Sequence, residues 1–277
     1  MLKVHTLADL EKVGRPVAEG LFKSFSFRSD LMKYMKEHRN RRSGDRATKE
    51  FECDPCEGTG VIKEHPRSVD VFHPSSFGPY GCSQRLWFDL YGTIEEISCF
   101  EPDLLLIFDV GHSLHGMLQT YAARMYGGQF EAEVRAKDAE GLISGSADGR
   151  WTFPQIRIVW EIKTINRKGF EGLSKPKVEH MWQAMTYAYL LDIPFILFTY
   201  ICKDNSQIVD HHIVFDEEIW AQVKEFIDSV LDCPDEEGPG AINAMGKKVN
   251  KFTCKSCGYN HGCKFSQYAP PRRRKSK

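Results

Sequence analysis

Gly145-Ser-Ala-Asp148-Gly-Arg150, followed by Trp160-Glu161-Ile162-Lys163, is the most informative run of the chain. The second run sits inside QIRIVWEIKTI, residues 155–165, which has the composition of a strand. Successive side chains of a strand point to opposite faces. Ile156, Ile158, Trp160 and Ile162 therefore share an apolar face, and Val159, Glu161 and Lys163 share the other. Asp148 stands thirteen residues before Glu161, a separation suited to the preceding strand of a hairpin. Two carboxylates and one ammonium are then expected to meet at the end of a buried strand.

Outward from this pair, the pattern is regular. Residues 112–126 (HSLHGMLQTYAARMY) place Leu114, Met117, Leu118 and Tyr121 on one helical face, and Gly127-Gly128 ends that helix. FEAEVRA and LISGSADG read as strands, a helix is predicted over about Val178 to Leu191, and PFILFTYIC and QIVDHHIVF read as two more strands. Asp216 is a candidate N-cap for a last helix carrying Ile219, Val223, Phe226, Ile227 and Val230. Upstream, residues 1–70 look irregular apart from a helix near Ser29, and HPSSFGPYGCSQRLWFDLYG reads as a loop entering a short helix. The order helix, three strands, helix, two strands, helix implies an α/β fold, a mixed central sheet flanked by helices.

The acidic pair has a chemistry. Mg²⁺ prefers oxygen ligands and keeps several waters, so one or two carboxylates suffice to hold it. A held cation polarises a phosphoryl oxygen and lowers the pKa of a bound water. A lysine beside it orients that water or offsets charge developing on the phosphate. The plainer reading makes Glu161 and Lys163 a surface pair on an edge strand. Two flanking signals bear on the choice: Gln183 and Tyr187 lie i, i+4 on one helical face, and His115 follows Gly111 by four residues. Each taken singly fits a packed core residue as well.

Composition limits the alternatives. With 277 residues, 42% hydrophobic and 27% charged, the chain is of ordinary globular make-up, long enough to bury a core as one large domain or two small ones. The opening MLKVHTLADLEKVG lacks a signal-peptide core, and no apolar run reaches the ~20 residues of a membrane helix, so a cytoplasmic protein is expected. A formal net charge of −1 excludes a polycation. Nucleic-acid binding would depend on local basic patches, for which Lys33 to Lys49 and Arg272-Arg273-Arg274-Lys275 are candidates beside their plainer reading as a solvated helix face and a loose tail.

From about His73 to Lys264 the sequence resembles the RecB-like branch of the PD-(D/E)XK nucleases, which includes CRISPR-associated nucleases and phage recombination exonucleases. The pattern of that branch is met in order by Gly111 with His115, Gly145 with Asp148, Glu161 with Lys163, and Gln183 with Tyr187. The resemblance implies a DNA nuclease using Mg²⁺ or Mn²⁺, with an exonuclease role in recombination, repair or phage DNA processing. His115, Asp148 and Glu161 would bind the metal, Lys163 would serve the attacking water, and Gln183 and Tyr187 would support the site or touch the DNA backbone. Glu133 is a further candidate acid. The alternatives are a structure-specific or restriction-like endonuclease, and a non-catalytic DNA-binding scaffold, for which the acidic positions would be damaged; they are intact.

Nine cysteines in a chain expected in the cytosol argue for metal rather than disulfides. Cys254-x2-Cys257-x5-Cys263 needs a fourth ligand. His261 would complete a structural zinc site, and Cys82 would give four thiolates, as in iron–sulfur ligation. RecB-like nucleases that hold a cluster place one cysteine before the core and C-x2-C-x5-C after it, which implies a 4Fe–4S cluster on Cys82, Cys254, Cys257 and Cys263. Here Ser83-Gln84 precedes Arg85, one residue more than the family's C-x-R. Cys53-x2-Cys56 resembles half of a zinc knuckle, with His65 and His73 as conceivable partners; Cys99, Cys202 and Cys233 are assigned nothing. The expected organisation is an N-terminal helical or irregular extension over 1–72, a nuclease domain with its cysteine clasp over 73–265, and a basic tail over 266–277.

Overall fold

The structure, a computed structural model, describes residues 3–37, 70–96, 102–233 and 236–267. Its centre is a five-stranded sheet in the order β1 (Phe130–Lys137), β2 (Ser144–Thr152), β3 (Arg157–Ile165), β4 (Phe195–Cys202) and β5 (Ile208–Val214). Neighbours are antiparallel except β3 and β4, which run parallel. A parallel pair needs a long crossover. Here α6 (Arg167–Glu171) and α7 (Val178–Leu190) supply it. The expected mixed sheet between helices is what forms.

The alternation read in β3 sorts the two faces as the sequence implies. Ile156, Ile158, Trp160 and Ile162 join one core with Leu118 and Ala122 of α5 (Pro102–Tyr126), whereas Val159 joins another with Ala184, Met185 and Tyr187 of α7. Trp160 is fully buried, its ring 4.6 Å from Phe27 and 4.8 Å from Trp151 between centroids. Truncating such a side chain to alanine costs about 3–5 kcal/mol.

The β1–β2 hairpin does something the sequence does not announce. Phe130 and Trp151 pack on the α5 side, but Ala136 and Ala147, of the same parity along their strands, pack on the α7 side. The alternation thus reverses midway while the pairing register does not slip. Glu133 stands at the reversal with φ of 52°, in the left-handed region that suits glycine.

Residues 3–37 are less irregular than the sequence suggests. α1 (Leu7–Val13) and α2 (Arg15–Phe22) precede α3 (Phe27–Glu37), and all three lie against the sheet. The Val4 amide donates to the Gln155 carbonyl at 2.7 Å, and Arg15 donates to the carbonyls of Val214 and Phe215. Phe22, Phe27 and Leu31 complete the α5-side core. α1 and α2 leave no periodic signal in the sequence because both are short, and α1 buries no residue. α5 also begins ten residues before the expected start, where Leu104 to Phe108 form an unbroken apolar run without periodicity.

On the α7 side α8 (Glu217–Leu231) packs through Val223, Phe226, Ile227 and Val230, and Asp216 caps it by accepting from the amides of Glu218 and Ile219. The short helix α4 (Ser83–Tyr91) lies beside it, and α9 (Lys251–Lys255) packs Cys254 against Ala241 and Val249. No helix among the described residues is long and apolar enough to cross a membrane.

Candidate active site

Glu161 and Lys163 stand where β3 runs between α5 and α7. Glu161 is only 1% exposed. The Lys163 ammonium donates to Glu161 Oε2 at 2.9 Å and to Gln183 Oε1 at 2.9 Å. The alternation in β3 puts both on one face, and α7 brings Gln183 to them.

Asp148 comes in from β2. The regular β2–β3 register runs from Thr152 to Gly149, and one residue further the Asp148 carboxylate replaces a ladder carbonyl. Its Oδ2 accepts from the Ile162 amide at 2.6 Å, and its Oδ1 lies 3.1 Å from His115 Nδ1. Gly111, one turn before His115, lets α5 come down on β3. A Cβ there would meet Thr164 Oγ1 at 3.2 Å.

Tyr187 closes the far side. Its hydroxyl lies next to the Gln183 side chain and the Ser146 main chain. Gly145 makes room for it, since a Cβ at that position would lie 2.7 Å from the hydroxyl and 2.9 Å from Pro74 Cδ. The i, i+4 pair of α7 thus forms a chain, Tyr187 to Gln183 to Lys163, and Gly145 is its seat. Gln119, four residues after His115, is a site neighbour the sequence reading passed over. Its side-chain amide donates to the Asp148 carbonyl at 2.8 Å and to Glu133 Oε1 at 2.7 Å. The signal was there in the helical spacing from His115.

The two carboxyls are driven apart electrostatically. Burial, reinforced by the negative charge of Asp148, pushes the Glu161 carboxyl up to about 7 against the pull of Lys163. Burial also pushes Asp148 upward, but the His115 hydrogen bond and charge, the Lys163 charge and the Ile162 amide outweigh it and hold Asp148 below its usual value. Burial draws Lys163 down, and the charges of Glu161 and Asp148 more than restore it. Separated carboxyl pKa values mark sites built for function.

Among the described residues eight buried side-chain polar atoms lack a hydrogen-bond partner, and one of them lies in this site. Glu161 Oε1 has no hydrogen-bond partner, and an unpaired buried carboxylate oxygen is costly without a proton or a cation. Two carboxylates and an imidazole, Glu161, Asp148 and His115, are donors of the kind a divalent ion takes. No three His, Cys, Asp or Glu side chains among the described residues are gathered closely enough to hold an ion as they stand. Mg²⁺ and similar ions do not require that, since they retain waters and take as few as one or two carboxylates.

A second grouping is formed by cysteines. Cys82, Cys254, Cys257 and Cys263 all line one cavity of about 110 Å³, with Arg85 and Phe88 of α4 beside them. Burial, with the neighbouring Cys257 and Cys254, pushes the Cys82 thiol up to about 12. Burial likewise raises Cys257 and Cys263. His261 is not part of that lining; its Nδ1 lies 3.2 Å from the Gly258 carbonyl. Cys53, Cys56, His65, Cys99, the residues of the first basic stretch beyond Glu37, and Arg272 to Lys275 lie outside the described residues.

No family model matches the chain, and no curated protein matches it. Among solved structures, SSO0001 is similar with a TM-score of 0.45 and 20% identity over 72% of this chain and 88% of that one. The alkaline exonuclease LHK-Exo from Laribacter hongkongensis, also solved in complex with dAMP, gives 0.41 with 14% identity over 59% of this chain and 87% of its own. A phage related exonuclease from Haemophilus somnus 129PT gives 0.37 with 14% identity over 52% and 75%. At this distance the likeness carries no argument about activity, which is made from the side chains.

Proposed function

We propose that this protein is a divalent-cation-dependent deoxyribonuclease that hydrolyses phosphodiester bonds, acting from DNA ends. The observation that carries the reading is the meeting of Asp148, Glu161 and Lys163 around a buried carboxylate oxygen that lacks a partner. His115, Asp148 and Glu161 would hold Mg²⁺ or Mn²⁺. A cation bound there supplies Lewis-acid polarisation of the phosphoryl oxygen and a more acidic water. Lys163, fixed between Glu161 and Gln183, offers its third N–H to the attacking water or a phosphate oxygen. Tyr187 keeps Gln183 on Lys163, and His115 keeps the Asp148 carboxylate turned toward the site. Action from ends comes from the resemblance to phage recombination exonucleases.

We also assign a 4Fe–4S cluster to Cys82, Cys254, Cys257 and Cys263. The assignment comes from the resemblance to RecB-like nucleases that hold a cluster on one cysteine before the core and C-x2-C-x5-C after it, the four thiolates that ligation of such a cluster requires. A cavity shared by all four, without His261, accords with it.

Digestion of end-labelled linear DNA and of a covalently closed circle, with Mg²⁺, Mn²⁺ or chelator, tests the reading. Loss of the linear DNA with either metal, a surviving circle and no loss in chelator is expected. A rapidly opened circle would replace the end-dependent part with endonuclease action, and intact DNA throughout would remove the enzyme.

A further inference from the structure

We infer that Glu133, acting through Gln119, is a positioning residue that fixes the main chain at Asp148, and that it does so from a strained backbone. The inference rests on the nuclease reading of the site.

In the hairpin register Ala132 pairs with Gly149 and Val134 with Ala147, so Glu133 lies opposite Asp148, yet that one pair is missing from the ladder. The cause is the φ of 52° at Glu133, which turns its peptide away from its partner. Gln119 of α5 replaces the missing ladder contact. One side-chain amide bonds both the Asp148 carbonyl, at 2.8 Å, and Glu133 Oε1, at 2.7 Å. Ser146 Oγ donates to Glu133 Oε2 at 3.0 Å, so both carboxylate oxygens are engaged.

A left-handed backbone is unfavourable for any residue with a Cβ, and glycine is the usual occupant. Asparagine is the usual second choice. Glutamate has neither advantage. Its side chain is exposed, so apolar burial does not explain it. Its carboxylate does, because it orients the Gln119 amide onto the carbonyl of the residue that carries the acidic side chain of the site. His115 holds that residue by its carboxylate, and Gln119, one turn later on the same helix, holds it by its main chain. Strain retained next to a reactive group is a familiar mark of function.

The claim separates stability from activity. In the full-length protein, Glu133→Gly removes the strain and the brace together. It is expected to melt a few degrees higher than the parent while turnover falls about tenfold at unchanged KM for DNA. Glu133→Gln keeps the length and the hydrogen-bonding capacity and should retain most of the turnover. Gln119→Leu should lose about as much as Glu133→Gly, and the double variant no more than either, because residues acting as one unit are not additive. Mn²⁺ binding followed by electron paramagnetic resonance gives a readout apart from cutting, with several-fold weaker binding in Glu133→Gly. If Glu133→Gly melts lower than the parent, or cuts and binds Mn²⁺ like the parent, the inference is wrong. A parent that binds Mn²⁺ but cuts no DNA removes the nuclease reading and leaves the brace to be judged on the melting and binding data.

Discussion

At the scale of single residues the site is an argument about one buried acid. Glu161 needs a positive partner when ionised, and Lys163 satisfies only one of its oxygens. Replacing Glu161 with alanine should abolish cutting, by about 10³-fold or more, with the far-ultraviolet circular dichroism unchanged; full residual activity would count against the assignment. Lys163→Ala should lose about 10²–10³ in kcat with cation affinity largely kept. That affinity is best compared near pH 8.5, because losing the ammonium pushes the Glu161 carboxyl higher still and lets protons compete at neutrality. If cation binding collapses even there, Lys163 has been given the wrong role. The sign of the pH effect in the parent follows from the same carboxyl. Its value of about 7 is above the ordinary 4.5, so below pH 7 it carries a proton that a cation must displace. Calorimetric Mg²⁺ affinity should therefore weaken as pH falls from 8 to 6, by roughly tenfold per unit at the acid end. A pH-independent affinity would mean that Glu161 is not a ligand.

At the scale of elements, two helices bring i, i+4 pairs to the sheet from either side: His115 and Gln119 on α5, Gln183 and Tyr187 on α7. The seat for the second pair is Gly145. Gly145→Ala should displace Tyr187, free Gln183 and lower turnover about tenfold or more, whereas Ser144→Ala, which spares the seat, should lose much less. Equal turnover in both variants would disconnect Tyr187 from the chemistry. The central strands and helices were legible because period-2 and period-3.6 patterns survive wherever an element buries one face. They failed where no single face is buried, as in the first turns of α5, or where an element is too short to show a period, as in α1 and α2. Asp148, Glu161, Lys163, Gln183 and Tyr187 were legible through strand alternation and helical spacing. Glu133 and Gln119 were not read together, because a positive φ inside a strand leaves no trace in hydrophobic pattern.

At the scale of the molecule, a cluster on the four cysteines would tie Cys82, ahead of the sheet, to the three that follow α8. The loop so closed, Cys82 to Cys254, is about 170 residues, and chain-entropy reasoning assigns such a closure about 5 kcal/mol. The purified protein should be brown, with broad absorbance near ~400 nm from thiolate-bound iron. Cys82→Ala should bleach it and lower the melting temperature by roughly 10 °C. A colourless protein containing zinc would overturn the assignment to iron.

All of these expectations meet at one place, the space shared by Asp148 and Glu161. Anomalous diffraction from a crystal soaked in Mn²⁺ addresses it directly. The account predicts a manganese peak held between those two carboxylates beside His115, with Lys163 adjacent but not ligating. A fully soaked crystal with no peak there, or with manganese bound only to other acidic groups, would contradict it.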